Sequence, residues 1–84
     1  MNLQIVATYD SALGEFFAPI FVRSIGLAIR DFGDEVTKAD SPLSRHPADF
    51  LLFHLGSFDP ADGSIASFTP AQISRAVDFV SPAG

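Results

Sequence analysis

The chain has 84 residues, with ten Asp and Glu against five Lys and Arg and a formal net charge of −5. That length allows one small domain, 1–84, and a 48% hydrophobic content with nine Phe is far too apolar for a disordered chain. The absence of cysteine excludes disulfides and thiolate-bound zinc, so an aromatic core, self-association or both must hold so small a domain together.

A pI near 4.5 is the reverse of what a nucleic-acid packaging peptide needs, because phosphate neutralisation calls for clustered Lys and Arg. The cations Arg23, Arg30, Lys38, Arg45 and Arg75 are instead spread along the chain. The longest apolar runs, such as 50–53 and 16–22, fall far short of the ~20 residues of a spanning helix. The N-terminus carries no basic region followed by a continuous apolar stretch. The expectation is a protein of the cytoplasm with no membrane partner.

In Leu3-Gln-Ile5-Val-Ala7-Thr-Tyr9 the odd positions are apolar, which is the period of a strand. Turn residues follow at 10–14, and 16–22 reads as a second strand, completing a hairpin over about 3–23. Pro19 lies inside that second run and cannot donate to a ladder, so it marks an edge or a bulge. Ser24 is suited to cap a helix over 24–38, whose apolar stripe is Ile25, Ala28, Ile29, Phe32 and Val36. Arg30 and Asp34 are spaced to pair on its exposed side. Residues 39–49 contain Pro42, Pro47 and several polar side chains and read as a loop.

The run 50–58 is the strongest strand. Alternation sends Leu51, Phe53 and Leu55 one way and Phe50, Leu52, His54 and Phe58 the other. Both sets are apolar, which predicts a central strand covered twice. Asp59-Pro60-Ala61-Asp62-Gly63 is a turn, and 64–68 returns as a fourth strand. Thr69-Pro70-Ala71-Gln72 has the form of a helix start and predicts a short C-terminal helix over 70–79. The fold class is α+β: a small antiparallel four-stranded sheet, β-β-α-β-β, with one main helix packed on one face. One main helix leaves the opposite apolar face to be covered by the C-terminal helix or by a second subunit, and the aromatic load and small size favour a homodimer.

Sites for chemistry are few. His46 sits in a polar loop and reads as solvated; His54 sits among large apolar residues and reads as a hydrogen-bonded interior or interface histidine. No cysteine nucleophile and no G-x-S-x-G elbow is present, so the chain is expected to be non-enzymatic, with no cofactor and no small-molecule substrate. The turn at 59–63 lacks the alternating oxygen ligands and closing Glu of a calcium loop. Asp31, Asp34 and Glu35 read as a solvated helix face, not a metal site. Tyr9, Phe16, Phe21, Phe53 and Phe58 can serve as core or, on one sheet face, as a platform for stacking unpaired bases.

Three stretches carry a resemblance. They are Tyr9-Asp10…Pro19-x-Phe21, then Ala28-x-Arg30-x-Phe32, and then Pro47-x-Asp49-Phe50-x-Leu52-x-x-Leu55-Gly56-x-Phe58-Asp59-x-x-x-Gly63-x-Ile65. The chain resembles, over about 5–73, the small non-structural protein of microviruses, the single-stranded DNA phages, in their gokushovirus-like branch. The stretch from Pro47 to Gly63 is the most specific part. The resemblance implies a protein of the infected host cytoplasm that helps switch synthesis from duplex to single-stranded DNA for packaging. Its partners would be single-stranded DNA, or the phage replication and procapsid proteins. It supplies no catalytic residues. If DNA is bound directly, Arg23, Arg30, Lys38 and Arg45 are the candidate phosphate contacts. The alternative is an acidic protein–protein adaptor, or a modulator of a host or phage enzyme, with no nucleic-acid binding.

Overall fold

The computed structural model describes residues 2–80. The architecture is α+β, a curled antiparallel sheet with one main helix on one face. Strand β1 spans Leu3–Asp10, and its return arm is split into β2, Glu15–Phe16, and β3, Ile20–Val22. Both pieces pair with the same edge of β1, and Pro19 falls in the gap between them. Strands β4, Phe50–Asp59, and β5, Ser64–Arg75, complete the order β2-β1-β4-β5, with β3 beside β2 on β1. The turn before β2 is closed by Asp10, whose Oδ1 accepts the N–H of Ala12 at 3.0 Å. The turn between β4 and β5 is closed by the Gly63 N–H donating to the Asp59 carbonyl, with Gly63 at φ +76°.

Helix α1 spans Ile25–Thr37, and the Ser24 Oγ accepts from the Leu27 N–H at 3.2 Å as its cap. Its stripe buries Ala28, Phe32 and Val36 against Val6 of β1 and Phe50 and Leu52 of β4. The Arg30–Asp34 pair does not form: among the described residues the ion pairs are Arg45–Asp40 and Arg75–Asp78.

Three further expectations are corrected. The stretch 39–49 is not a plain loop, because it contains helix α2, Pro42–Arg45, and a 3-10 turn over Pro47–Asp49. Ser41 caps α2 through the Leu43 N–H at 3.1 Å, Pro42 takes the first turn, and Leu43 pins it into the core.

The helix over 70–79 does not form. β5 continues to Arg75, and only a 3-10 turn, Ala76–Phe79, follows. A cap signature contributes about 1 kcal/mol, whereas the extended chain gains a ladder with β4 and seats Ile73 against the core. Pro70 costs that ladder little. It lies in a bulge where Phe68, Thr69 and Pro70 together oppose Leu55 on the edge strand.

The third correction concerns facing. Leu55 is an extra residue between the pairs Val6–His54 and Ile5–Gly56, so the alternation of β4 inverts there. Phe58 therefore joins Leu51 and Phe53 on the face away from α1. β4 is central, but only one of its faces is covered by a helix.

The helix is shorter than the hairpin it sits on. The core cluster takes Phe50 and Leu52 from β4 and nothing beyond them, while residues 64–72 of β5 are exposed. The distal part of the β4–β5 hairpin projects past the core, giving extents of 49 × 24 × 19 Å. Within this arm Gly56 is obligatory, since a Cβ there would stand 2.2 Å from the Ala66 carbonyl oxygen.

Candidate functional site

Register fixes which side chains share the uncovered face. Tyr9 lies opposite Phe16 on β2 and Leu51 on β4, and Leu51 lies opposite Arg75 on β5. The next row is Ala7, Phe53 and Gln72. Ile5 is flanked by Phe21 and Gly56, and Leu3 by Phe58, which in turn faces Ile65. All five aromatic residues named as a platform from the sequence therefore fall on one face.

They form two clusters. The centroids of Tyr9 and Phe16 are 4.7 Å apart, Phe16 and Phe53 5.4 Å, and Tyr9 and Phe53 5.8 Å. Phe21 and Phe58 meet edge-on at 5.4 Å. These separations are typical of favourable aromatic pairs. The rings are not sealed: Phe16 keeps 42% of its surface exposed and Phe21 48%, and Ile65 beside Phe58 keeps 61%.

The strand positions of this face hold no carboxylate. Asp10, Glu15 and Asp59 stand in register on the other side, and Asp31, Asp34, Glu35, Asp40 and Asp49 belong to the helical layer and its connections. The two remaining acids are Asp62 in the β4–β5 turn and Asp78, whose carboxylate meets Arg75 at the margin of this face, so in a chain of charge −5 the ring rows themselves stay apolar.

The cations expected to contact phosphate lie elsewhere. Arg23 is exposed at the β3–α1 junction, Arg30 is exposed on α1, Lys38 caps the end of α1, and Arg45 ends α2. Arg30 and Lys38 are separated by about 12 Å along the helix axis. Arg45 is held by Asp40 at 3.9 Å and donates to the Asp40 carbonyl at 3.3 Å. The sheet thus stands between Arg30, Lys38 and Arg45 on one side and the rings on the other.

One cation of the ring face escapes a reading of the sequence. Arg75 occupies the row of Leu51 and Tyr9, and the helix predicted over 70–79 concealed that placement. Its guanidinium donates to the Asp78 carboxylate at 2.8 Å, which raises its already high pKa through the hydrogen bond and the ion pair.

His54 is half-buried on the α1 side, where its Nε2 lies 2.9 Å from Gln4 Oε1 and 3.0 Å from the Gly56 carbonyl. Both partners are acceptors, so the ring donates from Nε2. Phe68 packs edge-on against it at 4.7 Å. This is a satisfied structural histidine, while His46 is exposed. At the hairpin tip Asp62 Oδ1 accepts from the Ser64 N–H at 2.9 Å, and that bond lowers the Asp62 pKa. Among the described residues no group of three or more His, Cys, Asp and Glu is arranged to hold a metal ion. No helix of the described chain is long and apolar enough to cross a membrane.

The phage ORF5 protein family matches the sequence over residues 3–79, and the chain belongs to that family. No curated protein matches it, and no solved structure does.

Proposed function

We propose that this phage protein is a non-enzymatic accessory of genome replication or packaging in a microvirus, acting in the host cytoplasm during the switch from duplex to single-stranded DNA synthesis. In this reading it binds single-stranded DNA on its ring face. The observation that carries the reading is the gathering of Tyr9, Phe16, Phe53, Phe21 and Phe58 on one sheet face whose strand positions hold no carboxylate. Unpaired bases stack on such rings regardless of sequence, with about 1–3 kcal/mol lost per base on alanine substitution. Duplex DNA keeps its bases stacked inside and gains nothing from the same surface.

The protein acts as a homodimer in this reading. Association through the free outer edge of β5 at 64–67, short of the bulge at Phe68–Pro70, would extend the sheet and leave both ring faces open.

A second reading has its own support. Arg30, Lys38 and Arg45 lie across the sheet from the rings, and Arg75 is engaged by Asp78, so the ring face offers phosphate little charge. The same surface then suits a replication or procapsid protein, and the chain is an acidic adaptor.

Titration against labelled single-stranded and duplex DNA at three salt concentrations, with the mass in solution measured alongside, separates the two. DNA binding predicts a preference for the single strand and a loss of roughly fivefold to a hundredfold in Phe53→Ala. A steep salt slope that flattens when Arg23, Arg30, Lys38 or Arg45 is reversed in charge would move the DNA to the helical side. No binding at low salt, with a dimer mass, leaves the adaptor.

A further inference from the structure

The covered side of the sheet is not fully closed. Between α1 and the split edge strand lies an open groove of about 320 Å³, lined on its exposed surface by Phe17, Ile20, Asp31, Glu35 and Pro42, with Val6 and Leu52 of the closed core beneath it. Ala28 and Phe32 of α1 form one wall, and Phe17 and Ile20 the other. The split explains the opening. Pro19 interrupts the edge strand, and Phe17 and Ile20 remain 45% and 54% exposed instead of closing onto the helix. At this size the groove is at the small end of ligand sites, which run from about 300 to 1,000 Å³. It has room for side chains, not for a large cofactor.

The rim of the groove is acidic. Asp31 and Glu35 line it from α1, four residues and one helical turn apart. Neither has a basic partner among the described residues, whose ion pairs are Arg45–Asp40 and Arg75–Asp78. Like charges at this spacing repel one another and destabilise a helix. A cation placed over the groove would relieve that repulsion.

The outer edge of β3 borders the same groove. β3 pairs with β1 on one side only, so backbone donors and acceptors of Ile20–Val22 remain for another strand. An extended chain added there would direct alternate side chains towards α1. An apolar side chain would enter the groove, and a residue two positions away on the same face would come to the rim.

We propose that this groove binds an extended segment of another protein, in which an aromatic or aliphatic residue and an Arg or Lys stand two positions apart. The apolar side chain fills the space over Val6 and Leu52, and the cation is received by Asp31 and Glu35. This site lies across the sheet from the rings and does not depend on what the ring face binds.

The test is a titration of isotope-labelled full-length protein, followed by amide chemical shifts, with the capped peptide Ser-Phe-Thr-Arg-Ser. Two control peptides replace its Arg by Glu or its Phe by Ser. The expected result is shifts confined to 20–22 and to α1 around Asp31 and Glu35, with the Ser control binding about tenfold more weakly and the Glu control about threefold to fivefold more weakly. The double variant Asp31→Asn, Glu35→Gln should lower affinity for the Arg peptide by a similar factor while melting no lower than the parent. Equal affinity for the Arg and Glu peptides overturns the proposal. So does a response centred on Tyr9 and Phe53, or the absence of shifts at millimolar peptide.

Discussion

On one side of the sheet Val6, Phe50 and Leu52 lie beneath α1 and are almost wholly removed from water. On the other Tyr9, Phe16, Phe53, Phe21 and Phe58 pack against one another around the buried Ile5 and Ala7, and Phe16 and Phe21 stay close to half exposed. The large rings are divided between the two sides: Phe17, Phe32, Phe50 and Phe79 pack on the helical side, and five more stand where no helix covers them. Burial of an apolar side chain is favourable in proportion to the area removed from water, so a chain selected only for stability would place its largest rings under the helix. The helical side buries Val, Leu, Ala, Phe32 and Phe50, with Phe79 packed against them, and leaves those five rings on the far face. The two faces therefore do different work: one holds the fold together, and the other is available for contact.

Removing a ring from the covered side should have the largest effect. Phe32 is buried between Ala28, Val36 and the 3-10 turn, with Phe79 edge-on at 6.1 Å. Phe32→Ala is expected to cost about 3–5 kcal/mol, much of the total stability of a domain of this length. Urea denaturation followed by circular dichroism should show an early midpoint or no folded baseline. If the variant melts within about 1 kcal/mol of the parent, the division of labour between the faces is wrong.

Two glycines of α1 make a finer comparison. A Cβ on Gly33 would lie 2.6 Å from the Phe79 ring, so that ring must move and disturb its contact with Phe32. The overpacking costs about 1–3 kcal/mol, against a gain in helix propensity of about 1 kcal/mol. Gly33→Ala should therefore lower stability on balance. Gly26, on the exposed side of the same helix, has nothing within 4 Å of the corresponding position. Gly26→Ala should raise stability by up to about 1 kcal/mol. The same substitution with opposite signs, read as shifts in denaturation midpoint, would confirm which side of α1 faces the core.

The parts of this fold that are legible in the sequence are those set by neighbours along the chain. The Ser24 cap, the stripe of α1, the turn at Gly63 and the interruption at Pro19 all appear where local chemistry puts them. Helix α2 is the local exception: Pro42 and Pro47 suggest a loop over 39–49, whereas Ser41 caps a short helix there. The other failures come from partners distant in sequence. Thr69-Pro70-Ala71-Gln72 has every local mark of a helix start, yet pairing with β4 extends the strand through it. The single extra residue at Leu55 inverts the facing of Phe58, and strict alternation has no means of locating such a bulge. That inversion matters for the site, because it brings Phe58 to Phe21. The choice between core and platform for the rings was equally hidden, since it depends on which face α1 covers.

The smallest effect on folding is expected on the ring face itself. Phe16 belongs to a strand of two residues, and its ring keeps 42% exposure. A fully buried Phe contributes about 1.5–3 kcal/mol relative to exposure, so Phe16→Ser should cost about 1 kcal/mol. The partner ring Tyr9 is held independently by its strand in the centre of the sheet, and Phe53 likewise, so their positions should survive the change. Binding should respond differently, because the lost ring is the most exposed member of its three-ring cluster and leaves a polar hydroxyl beside Tyr9 and Phe53. Affinity for the ring-face partner should then fall by much more than stability does, while Asp31→Asn on the opposite side should leave that affinity unchanged. Equal losses of stability and binding would instead make the rings a second core, and the surface would lose its claim to be a site.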